Sequence, residues 1–285
     1  MNAPQLHLTR VGELDHAAWE WNAALRGSAP TMVFAHATGF HGRVWDAVIE
    51  NFPDAHILSL ELYGHGRSGG GEVEHWLDIA AAATGVLKEF GIKHAIGTGH
   101  SMGAHVLLQV AHDNPGMFER LTLFDPVIVE PEWYSGDAPF SSGDGPHPIA
   151  RRKRDFASAE AMFGRFEDRD PYALFQPRVL RDYCEYGLLP AKDGGFELAC
   201  APEVEASVYS SSRSNPGILD AARGIEIPVQ IVRAKRTNFT DFTSSPTWAE
   251  LAAQIPQGRD ICRPDMTHFH PFQDPADAAT IIGSN

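Results

Sequence analysis

Residues 95–103 read Ala-Ile-Gly-Thr-Gly-His-Ser-Met-Gly, and the last five constrain the fold more than any other stretch. Gly99-His100-Ser101-Met102-Gly103 fits the pattern Gly-x-Ser-x-Gly, in which a serine sits on a strained turn between a strand and a helix with its hydroxyl exposed. Glycines two before and two after the serine leave room where a side chain would strike its neighbours. The flanks agree with that turn. Residues 93–97 follow the helix-stopping Gly91 and read as a short buried strand. Residues 104–113 carry Val106, Leu107 and Val110 at helical spacing, and Asn114-Pro115 ends the run.

The rest of the chain repeats the same rhythm. Residues 6–11 and 17–21 alternate as an antiparallel pair, and 32–35 form a continuous apolar run suited to a strand buried on both faces. A helix over 44–52, a strand over 56–62, a turn at 64–68 and a helix over 73–90 lead to the serine turn. The strand 121–124 follows and ends at Asp125-Pro126. Strands alternating with helices predict an α/β fold with a mostly parallel twisted sheet and helices on both faces. In such sheets the chemistry gathers at the carboxyl ends of the strands.

Over 129–223 the rhythm changes. A loop rich in Ser, Gly, Asp and Pro at 135–148 precedes stretches at 157–166, 177–188 and 203–211 that read as helices rather than strands. This predicts a helical cap inserted at 129–223 between two parts of one core, 1–128 and 224–285. The second part holds a strand at 228–232, a helix at 248–254, a strand at 260–262 and a closing helix at 276–282.

A chain of 285 residues can bury a core of this size without disulfides or metals. Its net charge of −14 argues against nucleic acid or an anionic membrane as partner and leaves a small-molecule substrate. Three well-separated cysteines, no secretory start and no apolar run near the ~18 residues of a membrane span predict a cytoplasmic protein. No ligand spacing calls for a metal or a cofactor, and a homodimer is left open.

The succession of the His36 loop, the Gly-His-Gly-Arg-Ser turn at 64–68, the Gly-His-Ser-Met-Gly elbow, a helical insertion and a late His-Phe-x-Pro resembles the α/β-hydrolase fold family. It is similar to small serine hydrolases and C–C hydrolases with a helical cap. One departure is Glu61, where the pattern usually has Asp ahead of the turn. Ser101 as nucleophile needs a base with a pKa near neutrality, which means histidine. The resemblance implies His268, with His270 as its near competitor. For the acid that orients the imidazole, the likeness offers two places. Asp125, before Pro126, resembles the acid segment of haloalkane dehalogenases; Asp241 follows the strand at 229–232, where Asn238 occupies the usual position. The N–H after the serine, that of Met102, is one oxyanion donor, and the resemblance places the second at Thr38.

These residues predict a cofactor-independent serine hydrolase acting on a small ester-like substrate. A C–C bond hydrolase or perhydrolase could use the same groups, and a non-catalytic small-molecule-binding protein could use the same fold. The cations Arg151-Arg152-Lys153-Arg154 read as a solvated face of the cap.

Overall fold

The computed structural model describes residues 2–135, 147–238 and 241–284. The alternating start forms the expected hairpin: β1 (Gln5–Val11) pairs antiparallel with β2 (Leu14–Trp21) across Gly12, whose φ is 62°. β3 (Thr31–Ala35) follows, then a 3₁₀ turn at Gly42–Trp45 and α1 (Asp46–Ile49). The helix predicted over 44–52 is thus little more than one turn of each kind. Pro53 cannot continue it, and the Asn51 amide bonds back to the Ala47 and Val48 carbonyls. β4 (His56–Leu60) leads to α2 (Trp76–Glu89), capped by the His75 ring, which accepts from the Leu77 N–H. β5 (Ala95–His100), α3 (Met102–Asp113) and β6 (Phe118–Phe124) complete the first half.

Between β6 and the next sheet strand lie β7 (Asp155–Phe156), α4 (Ala159–Phe166), α5 (Pro177–Tyr186), β8 (Leu188–Pro190), β9 (Phe196–Leu198), α6 (Pro202–Ser210) and α7 (Ile218–Gly224). The sequence predicts a helical region here, and the structure differs: it also holds a small sheet. α5 stops at Gly187, and Leu188 instead enters a small antiparallel sheet of order β7-β9-β8. Its turn uses Gly194 and Gly195, with φ of 92° and 72°. Strands of two or three residues are too short for a period of two to show. The loop read at 135–148 falls largely on 136–146, outside the described residues.

β10 (Val229–Ala234), α8 (Leu251–Gln254), β11 (Gly258–Arg263), α9 (His270–Gln273) and α10 (Pro275–Gly283) close the chain. The eight-stranded sheet runs β1-β2-β4-β3-β5-β6-β10-β11, with β1, β2 and β4 paired antiparallel and β4 through β11 parallel. Both faces are covered, as a parallel sheet requires. Along β3 the side chains alternate: Val33 and Ala35 join a cluster with α2, α3 and α7, while Met32 and Phe34 join one with α1, α4, α5 and α10. Among the described residues no helix is long and apolar enough to cross a membrane.

Candidate active site

The turn between β5 and α3 has the strain its sequence calls for. Ser101 sits at φ 57°, ψ −116°, outside the regions that L-residues favour. Its backbone is gripped on both sides: its N–H donates to the Phe124 carbonyl (2.9 Å), and its carbonyl accepts from Val127 (3.3 Å) and His105 (3.2 Å). The side chain makes no cap bond to α3. The two glycines are required for specific contacts. A Cβ at Gly103 would lie 2.4 Å from the Ala35 carbonyl oxygen, and one at Gly99 would lie 2.6 Å from the Ala104 Cα. α3 therefore starts directly against the end of β3.

That close approach sets the loop after β3 beside the start of α3, where the first helical N–H groups, Met102 among them, have no partner within the helix. Thr38 lies in this loop and is buried. His36 fixes it: Nδ1–H donates to the Ala37 carbonyl (2.8 Å), while Nε2 accepts from the Leu62 N–H (3.0 Å). Burial holds His36 neutral, which suits this one-donor, one-acceptor arrangement. Glu61 anchors the next turn through the Trp19 indole (2.9 Å) and the Arg67 backbone and side chain, and a Cβ at Gly66 would strike its carboxylate. Its departure from the usual Asp is accommodated as a structural contact.

At the end of β6, Asp125 adopts φ 42° and is buried. Its carboxylate accepts from the Ala234 N–H (3.2 and 3.3 Å), from the Ser245 hydroxyl at short range and from the Thr247 hydroxyl (3.4 Å). Oδ2 faces His268 Nδ1 at 3.6 Å, just beyond hydrogen-bond reach. Asp241 is placed differently: it is exposed, and its carboxylate caps the backbone and hydroxyl of Thr243 (2.8 and 2.7 Å). His270 is buried and paired through Nε2 with Asp277 at 2.7 Å, which also takes Arg263. Of the two acids and two histidines weighed from the sequence, Asp125 and His268 are brought together.

Three contributors carried no legible signal of their role. Ser245 and Thr247 seat the Asp125 carboxylate, and only the hydroxyl-rich run at 243–247 hints at them. His100, inside the elbow, donates from Nε2 to the His268 carbonyl (2.8 Å), tying the histidine loop to the serine turn. Burial keeps His100 uncharged, so that proton is on Nε2. Among the described residues no group of three or more His, Cys, Asp or Glu gathers as a metal site.

The buried histidines make acid stability predictable. Burial pulls His65 and His105 down to about 4, whereas in the unfolded chain each titrates near ~6.5. Their contribution is whole above ~6.5 and shrinks by about 1.4 kcal/mol per ring for each pH unit below it, down to the folded value. A thermal melt followed by circular dichroism should show the midpoint steady between pH 7 and 8 and falling steeply from pH 6.5 to 5. A midpoint unchanged at pH 5 would mean that these rings carry charge in the folded protein.

Sequence and structure comparisons bear on the family to which the chain belongs. The profile described as the Alpha/beta hydrolase family matches residues 32–281. Lipase LipV of Mycobacterium tuberculosis is 25% identical over 272 residues, covering 90% of this chain and 94% of that protein. The 2-(acetamidomethylene)succinate hydrolase of Mesorhizobium japonicum is 24% identical over 240 residues, covering 82% and 81%. The crystal structure of an E-2-(acetamidomethylene)succinate hydrolase superposes with a TM-score of 0.77 at 20% identity over 99% of this chain and 98% of its own. A strained serine turn at the carboxyl edge of a parallel sheet, matched over most of the chain by one family profile, makes this protein an enzyme of the alpha/beta hydrolase family.

Proposed function

We propose that the chain is a cofactor-independent serine hydrolase that cleaves a small carboxylic ester-like substrate through an acyl-enzyme. Ser101 attacks the carbonyl, His268 takes the serine proton and later returns it to the leaving group, and Asp125 orients the imidazole and stabilises its charged form. The N–H groups of Met102 and Thr38 receive the oxyanion. Water then releases the acid. The cap insertion at 129–223 shapes the acyl pocket, and three free cysteines fit a reducing, cytoplasmic setting.

The observation that carries this reading is the facing of His268 Nδ1 and Asp125 Oδ2 at 3.6 Å, with the His268 loop tied to the serine turn by His100. In free enzymes catalytic hydrogen bonds are often long and tighten when substrate binds. Relatives named lipase and esterase favour ester chemistry. The test compares kcat/KM on p-nitrophenyl butyrate with that on a β-diketone acid of similar size. Ester turnover faster by about tenfold or more is expected, a difference of about 1.4 kcal/mol in transition-state stabilisation. Faster cleavage of the diketone would move the assignment to C–C hydrolysis, and turnover of neither would favour a binding protein.

A further inference from the structure

Within the cationic run 151–154, Arg151, Lys153 and Arg154 are exposed as the sequence predicts, but Arg152 is not. Its side chain is 12% exposed and turned inward. One terminal nitrogen donates to Glu205 Oε2 at 2.6 Å, and the other is shared by the hydroxyls of Tyr172 (3.2 Å) and Tyr183 (3.3 Å), themselves 3.2 Å apart. Glu205, on α6, is buried, and its carboxylate is pressed on the loop after β3. A Cβ at Gly39 would lie 2.4 Å from Glu205 Oε1 and 2.8 Å from its carboxyl carbon. Gly39 is the residue after Thr38. The cap thus sets a carboxylate one residue from an N–H that the proposed mechanism asks to receive negative charge.

In a poorly solvated site, like charges repel strongly. Left alone, ionised Glu205 would oppose the tetrahedral oxyanion, which appears only in the transition state and so bears directly on kcat. We propose that Arg152 is a positioning residue that holds and neutralises Glu205 beside Gly39, so that the oxyanion forms against a cap wall of no net charge. This rests on the serine hydrolase reading above.

The groups facing Glu205 support a single compensating charge. Tyr183 on α5, Cys200 before α6 and Tyr209 on α6 are pushed up by burial and stay neutral at assay pH, and Tyr172 packs on the same guanidinium. Burial raises Glu205 itself, and Arg152 is the cation that opposes this. Without Arg152 the carboxyl pKa climbs further: neutral below the new value, charged above it. The defect should therefore grow as pH rises.

The experiment measures kcat and KM for p-nitrophenyl butyrate from pH 6 to 9 in wild type, Arg152→Met, Arg152→Lys and the double variant Arg152→Met/Glu205→Gln. For Arg152→Met we expect kcat at pH 8 about 100-fold down with KM within about threefold, and a smaller deficit at pH 6. The double variant, which lacks both charges, should return to within about tenfold of wild type, and Arg152→Lys should keep the wild-type pH profile. Equal loss in the single and double variants, constant with pH, would mean that Arg152 only props up the fold and would overturn the proposal. Should Arg152→Met not fold, the double variant and Arg152→Lys carry the test, and failure of either expectation overturns it. Absence of Ser101-dependent turnover in wild type would sink the hydrolase reading itself, and the inference with it.

Discussion

Replacing Ser101 by Ala is expected to lower kcat on a short p-nitrophenyl ester by about 10⁴-fold or more, because the proposed covalent step has no other nucleophile. Stability should barely move. Ala tolerates φ 57°, ψ −116° no better and no worse than Ser, and the Ser101 side chain caps nothing in α3, so a change within about 0.5 kcal/mol is expected. Ser101→Gly separates strain from chemistry. It should be equally inactive but more stable by about 1 kcal/mol, since glycine enters that conformation freely. Denaturant unfolding beside the kinetic assay reads both. An Ala variant that keeps more than about a tenth of the activity would remove Ser101 from the mechanism.

The second large effect concerns the acid. Asp125→Asn should cost about 10⁴-fold in kcat, because an amide presents a donor where the imidazole needs an acceptor and so favours the wrong tautomer. Asp241→Asn should leave turnover within about twofold, since that carboxylate is exposed and serves only to cap Thr243. The two variants assayed side by side decide between the acids that the sequence left open. Loss on Asp241→Asn with Asp125→Asn active would reverse the assignment. Asp125→Asn should also destabilise the fold, as Ser245, Thr247 and the Ala234 N–H all converge on its carboxylate.

What could be read from the sequence was whatever rests on local pattern or chain order. Buried strands such as Thr31–Ala35 are apolar runs, and the Ser101 turn is written in glycines whose missing side chains face backbone 2.4 to 2.6 Å away. The chain order also pointed to His268, and Asp125, one of the two acids left open, lies face to face with it. Contacts that join distant segments were not legible. Arg152 reads as one cation among four, and only the fold shows it reaching Glu205, 53 residues on. The same holds for His100 holding the His268 carbonyl across 168 residues, and for β7, β8 and β9, which pair across up to about 40 residues of chain. The helix read over 44–52 failed for a local reason: the periodicity is there, but Asn51 and Pro53 end it.

The central claim, that His268 draws the proton from the Ser101 hydroxyl at the strained turn, is tested most directly by covalent labelling. The protein is exposed to a fluorophosphonate probe for minutes at pH 8, digested, and mapped by mass spectrometry, with His268→Ala alongside. The account predicts a stoichiometric adduct on Ser101 in the wild type and, in the variant, labelling slower by about 10³-fold or more. No adduct on Ser101, or labelling that proceeds equally well without His268, would contradict it.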